Sequence, residues 1–183
     1  MTKEQCFLRL KPIDITKSYR LFYPAVPAIV CAKHMKTVAA MPVISMVILS
    51  HNPPKLGLAI SPRHLTYTIL TQSQRFSVCL LDRRNVREVE KLGTTAGILG
   101  EDKLLQSGLR YHMTEDLHVP VPDTSVAALE CRLQEDINYG DHNLIVGTIH
   151  NGWATDDFDE YWKFNTYHPI LYTGIHNGFT TYI

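Results

Sequence analysis

"AMPVISMVILSHNPPKLGLAIS", residues 40–61, places an apolar run on each side of a polar corner built on a double proline. Both runs are rich in valine, isoleucine and leucine and too short for helices of ordinary length, which marks them as buried strands. Pro53 and Pro54 prevent a helix from passing through the corner and impose an extended turn, so Ser50 and Asn52 sit on a stiff connector. Working outward, "VPAIVCA" (26–32), "FSVCLLD" (76–82) and "LIVGTIH" (144–150) have the same character. "ALECRLQEDINY" (128–139) alternates Leu129, Cys131 and Leu133 with Glu130, Arg132 and Gln134, the pattern of a strand with one wet face. Helical signal is confined to three short segments. "LTYTILTQSQ" (65–74) turns Ile69 and Leu70 inward. "NVREVEKLG" (85–93) has an asparagine suited to capping, and "GEDKLLQSG" (100–108) has acidic residues in its first turn; each of these two closes on glycine. The prolines of "HVPVPDTS" (118–125) predict an extended, edge-like connector.

Strand runs in this number, with no βαβ alternation, predict a mainly β fold: an antiparallel barrel with a few short peripheral helices. A chain of 183 residues suits a single domain over residues 1–183. Lys+Arg and Asp+Glu are equal at 18 each, which removes the electrostatic argument for a nucleic-acid or anionic-membrane partner and leaves a small molecule as the expected ligand. The opening "MTKEQCFLRLKPID" has no signal-peptide core, and no later stretch supplies the roughly 18 apolar residues of a membrane-spanning helix, so a cytoplasmic location is expected. Cys6, Cys31, Cys79 and Cys131 are widely spaced and form no C-x-x-C pair; Cys79 and Cys131 read as small core residues.

The densest chemistry lies where the second run ends, in "SPRHLTYT" (61–68). Arg63 offers paired donors to a phosphate, Ser61 and Thr66 offer hydroxyls, and the helix that follows presents its positive end. The plainer alternative is a capped helix start, in which Ser61 or Thr66 serves its own backbone while Arg63 and His64 face water. In "GDHNLIVG" (140–147), Asp141 and His142 stand between a glycine turn and an apolar strand, where the carboxylate can fix the tautomer of an imidazole at a barrel rim. The glycine-rich "KLGTTAGILG" (91–100), with Thr94 and Thr95, lacks the lysine of a P-loop and reads as a helix end or a second clamp on a ligand. There is no G-x-G-x-x-G after a strand, no H-E-x-x-H and no G-x-S-x-G, so a Rossmann cofactor site, a zinc protease and a nucleophile elbow lack support; no metal ligands are assigned.

Taken in order, "YPAVPAIVCA", residues 39–82, "DKLLQSGL", "GDHNLIVGTI" and "HPILYTG" resemble the flavin reductase-like family with the FMN-binding split barrel, from about Tyr23 to Gly174. The resemblance implies a split β-barrel and a homodimer with non-covalent FMN in a groove near the subunit interface. It also implies hydride transfer from NADH or NADPH onto FMN, with electrons passed to a flavin, a metal chelate or a protein. By the same resemblance Ser50, Ser61, Arg63 and Thr66 match positions around the FMN phosphate and ribityl chain, with Asn52 and His64 beside them. The backbone of Pro42, Val43, Ile44 and Ser45 would border the flavin ring, and His142 is the candidate catalytic residue, near the flavin or the incoming reductant. The family often has an asparagine where this chain has Ala39 and a serine where it has Ile44, with Ser45 displaced by one residue. A carrier that holds a flavin or another phosphorylated molecule without turnover is the alternative from a different class; a haem- or pyridoxal-phosphate-handling relative on the same barrel ranks third.

Overall fold

A computed structural model describes residues 11–175 and 178–181; Cys6 lies outside them. After a 3-10 segment, Ile15–Phe22, the chain forms β1 (Ala28–His34), β2 (Thr37–Val43), β3 (Met46–His51) and β4 (Pro54–Ile60), then α1 (Leu65–Ser73) and β5 (Arg75–Leu81). Next come α2 (Val86–Thr94), α3 (Lys103–Ser107), β6 (Tyr111–Met113) and β7 (Pro120–Pro122). The long strands β8 (Ser125–Asn138) and β9 (Asn143–Ala154) follow, and β10 (Ile170–Tyr172) and β11 (Phe179–Thr181) close the described chain. Seven strands make one antiparallel sheet in the order β2-β1-β5-β8-β9-β4-β3, and β6-β7 and β10-β11 are separate two-stranded pairs. Among the described residues no helix is long and apolar enough to cross a membrane.

The unbroken apolar run of β1 follows from burial on both faces. Val30 and Ala32 pack with Ile69 and Leu70 of α1 and with Leu58 and Phe76. Ile29 and Cys31 face the opposite way, against Val89 and Leu92 of α2 and Leu104 of α3. Cys31, Cys79 and Cys131 are free thiols within these layers, and burial pushes the Cys131 thiol up to about 12.

Four expectations are corrected in detail. The run 40–50 is two strands, because β2 ends at Val43 and the chain passes through Ile44 and Ser45 to the other edge of the sheet, where the Ser45 carbonyl accepts the Ala59 N–H at 2.9 Å. The barrel does not close, since β2 pairs with β1 and β3 with β4 but β2 and β3 do not pair with each other. Asn85 makes no side-chain cap to α2; Asp82 caps the preceding 3-10 turn, Arg83–Asn85, instead. The segment 118–125 is extended over β7, but it is buried there, with the Ser77 hydroxyl donating to the Pro120 carbonyl at 2.5 Å.

The supposed wet face of β8 is interrupted at Glu130, which is 0% exposed. The 114–119 turn folds over it. The Thr114 hydroxyl and the Leu117 N–H, at 2.8 Å, donate to its Oε1, and Asn151 Nδ2 donates to Oε2 at 3.0 Å. A buried carboxylate is tolerable only when its oxygens are satisfied in this way. Replacing Glu130 by alanine strands these donors and is expected to cost about 2–4 kcal/mol, measurable as a lowered urea midpoint with unchanged m-value.

Candidate functional site

A groove of about 690 Å³ opens where the start of α1, the loop after α2 and the first turn of α3 converge. Met41, Pro42 and Ile44 at the end of β2 supply an apolar wall, with Tyr172 and Phe179 from the β10-β11 pair; Arg63, His64, Thr66, Lys103 and His142 supply the polar one. Two glycines let the walls approach. A Cβ on Gly93 would lie 3.3 Å from Pro42 Cγ, and one on Gly97 would lie 2.9 Å from Leu65 Cδ2. The glycine-rich segment after α2 therefore packs against β2 and α1, and it brings Thr94 and Thr95 to the groove. Tyr172 is held on the far side by β10, anchored through Asp82. The buried Asp82 carboxylate accepts the His168 N–H at 2.8 Å and bonds from Arg84 N and Nε. Although burial alone would raise its pKa, these donors outweigh burial and hold it below the usual carboxylate range.

Several polar groups in the groove have no partner. Thr66 is 2% exposed and its hydroxyl makes no hydrogen bond to the described residues. Lys103 is 8% exposed, makes no ion pair or hydrogen bond among them, and is pushed below the usual lysine value by burial. Arg63 is exposed and equally unpaired, and its field helps to depress Asp141, although the hydrogen bond from His142 is the larger cause. Burial first, then the fields of Lys103 and His142, holds the His64 imidazole below its ordinary value, which places both of those side chains within electrostatic reach of His64. Among the described residues no acidic side chain lines the groove. A hydroxyl, a guanidinium and an ammonium without internal acceptors are the complement of an anion with several oxygens, and phosphate is the simplest. Among the described residues no group of three or more His, Cys, Asp or Glu side chains could hold a metal ion.

The groove thus gathers Pro42, Ile44, Arg63, His64, Thr66 and His142. Of the cap alternative for residues 61–68, the capping does not hold, because His64 occupies the N-cap position of α1 without a side-chain bond and neither Ser61 nor Thr66 caps the helix, whereas Arg63 and His64 are both exposed as it expected. Ser45, Ser50, Asn52 and Ser61 lie outside the lining. Ser45 and Asn52 are exposed, Ser50 is half-buried beside a bulge in β3, and the Val43 side chain is in the core. Ala39 is also wholly buried in β2, so its position does not reach the groove. Sequence reasoning missed Lys103, Tyr172 and Phe179. Lys103 carried one legible signal, as a cation in the first turn of a helix, where the dipole opposes it.

The flavin reductase like domain matches residues 19–174. The chain belongs to the flavin reductase-like family. An uncharacterized protein of Aeropyrum pernix is 31% identical over 166 residues, which cover 90% of this chain but only 63% of that protein. Among solved structures, an FMN-binding protein from Thermus thermophilus with bound 1-cyclohex-2-enone is similar at 26% identity and a TM-score of 0.77, covering 96% of this chain and 94% of that one. A flavoredoxin from Methanosarcina acetivorans shares the fold, with a TM-score of 0.82 at 19% identity over 96% of this chain and 92% of its own. The mainly β, antiparallel architecture is therefore that of the family.

The unpaired ammonium gives a test that needs no assay of turnover. Lys103→Met is expected to raise the Tm of protein free of ligand, because a desolvated charge is removed, and to weaken inorganic phosphate or nucleotide binding at the groove about tenfold by calorimetry.

Proposed function

We propose that the groove holds FMN non-covalently and that the protein is a cytosolic NAD(P)H-dependent flavin oxidoreductase. The observation that carries this is the set of unpartnered donors at Thr66, Arg63 and Lys103 beside an apolar wall, in a chain of the flavin reductase-like family. Arg63, Lys103 and Thr66 would take the phosphate, and Pro42 and Ile44 would border the ring. Bound FMN would supply hydride acceptance from NADH or NADPH and its onward transfer to a flavin, a metal chelate or a protein. The chain's own contribution is binding and alignment. Ile44 stands in the lining where a serine is frequent in the family, so hydrogen bonding to the ring would fall to backbone groups, and His142, which also lines the groove, would meet the reductant.

The test is the absorption spectrum of the purified protein before and after FMN, then anaerobic NADH and NADPH. Saturable binding, at least tenfold weaker for riboflavin and about 10- to 100-fold weaker in Arg63→Ala, is expected, followed by bleaching with one nicotinamide. A protein that stays colourless in excess FMN defeats the proposal. Flavin that binds but is reduced by neither nicotinamide identifies a carrier.

We also infer a homodimer. Met46, Val47, Ile48 and Leu49 are 39–52% exposed on the edge strand β3, an apolar strip open on both faces of the strand. Such an edge invites a second copy. Light scattering should give twice the chain mass for the wild type and the single-chain mass for Ile48→Glu; a monomeric wild type at micromolar concentration would refute the assembly.

A further inference from the structure

His142 sits on the turn between β8 and β9, and of its two neighbours only one is fixed. Asp141 accepts from the imidazole Nδ1 at 2.9 Å but is itself 83% exposed, whereas Asn143 is buried. Asn143 Nδ2 donates to Asp136 Oδ1 at 2.7 Å and to the Tyr67 hydroxyl at 3.0 Å, and that hydroxyl donates to Asp136 Oδ2 at 2.6 Å. The triangle is saturated: both amide hydrogens, both carboxylate oxygens and the phenol's donor and acceptor capacities are in use. Asn138 extends it into the turn. Its Nδ2 donates to Asn143 Oδ1 at 3.0 Å and to the Gly140 carbonyl at 3.2 Å, and its Oδ1 accepts the Gly140 N–H at 3.2 Å.

We propose that Tyr67, Asp136 and Asn143 form a clasp that positions His142 over the groove by tying the β8-β9 turn to α1. Tyr67 follows Thr66 and Asn143 follows His142, so one small network sets the relation between a phosphate-side residue and the rim imidazole, 76 positions apart at Tyr67 and Asn143. Holding the turn in place before a ligand arrives removes an ordering cost from binding. Tyr67, Asp136 and Asn143 are positioning residues, since none of them lines the groove. The role given to His142 rests on the flavin reading above, whereas the tethering of the turn does not.

Tyr67→Phe keeps the ring and deletes the hydroxyl. In protein without flavin, hydrogen exchange of the peptide spanning residues 138–145 should accelerate at least fivefold while peptides of β1 and β5 are unchanged. In flavin-saturated protein, KM for the nicotinamide should rise at least fivefold with FMN affinity and kcat within twofold, a split that general loosening of the fold would not produce. Asp136→Ala, at an exposed carboxylate, serves if the first variant folds poorly, and the double variant should be no worse than either single one if the three groups act as a unit. Unchanged exchange overturns the clasp. Accelerated exchange with unchanged KM overturns its bearing on His142. A wild type that binds no flavin defeats the functional reading instead, and the exchange result still decides the clasp.

Discussion

Two residues dictate the shape of this molecule. β2 and β3 follow each other in the chain, yet they are the opposite edges of a seven-stranded sheet. In a flat sheet six strand spacings would separate those edges by about 29 Å. Val43 and Met46 are three peptide units apart and can be separated by no more than about 11 Å. The sheet must therefore curl until its edges nearly meet, and the link through Ile44 and Ser45 lies at the seam. The groove forms beside that seam because Pro42 and Ile44 end up facing the start of α1, a segment delivered there by β4, which pairs with β3 on the other side of the split.

Much of this was legible in the sequence, and what was missed has a common cause. β1, β4, β5 and the opening of β9, from Asn143 to Gly147, are largely buried, so local composition revealed them, and α3 appeared where Asp102 and Gly108 frame it as cap and stop. The break at Ile44–Ser45 was hidden because an apolar run looks the same whether it continues in one strand or crosses between two. Glu130 looked like a solvent-facing residue because alternation records which face a side chain is on, and the 114–119 turn that covers that face arrives from elsewhere. At the groove, Arg63, His64 and Thr66 were found together because they are contiguous. Lys103 and Phe179 were not, because only the tertiary fold brings α3 and β11 to the same place.

Most buried polar groups away from the groove are satisfied by internal partners, although Glu88 Oε2 and Ser125 Oγ are buried without one among the described residues. Glu130 has donors on both oxygens, Asp82 accepts from the backbone on either side of it in space, and Asp157 takes the N–H groups of Asn165, Thr166 and Tyr167 at 3.0, 3.2 and 2.9 Å. Glu88 Oε2 and Ser125 Oγ do not line the groove, whereas the Thr66 hydroxyl and the Lys103 ammonium lack partners together on one wall of it. Idle donors gathered on the wall of an open groove mark a binding site when a ligand can supply the missing acceptors.

The same location is where charge placement conflicts with local preference. Lys103 stands in the first turn of α3, and Arg63 and His64 immediately precede α1; helix dipoles oppose cations at both places. Neither helix gains from its own cation, and in the shared groove the His64 imidazole is held below its ordinary value first by burial and then by the fields of Lys103 and His142. A doubly charged anion reverses every one of these signs: it neutralises the cations, it is favoured by the N-terminus of α1, and it accepts from the idle hydroxyl of Thr66. Interactions that are unfavourable one by one become favourable together only for that class of ligand. The electrostatics of the groove therefore argue for a phosphate-bearing occupant on grounds separate from family membership.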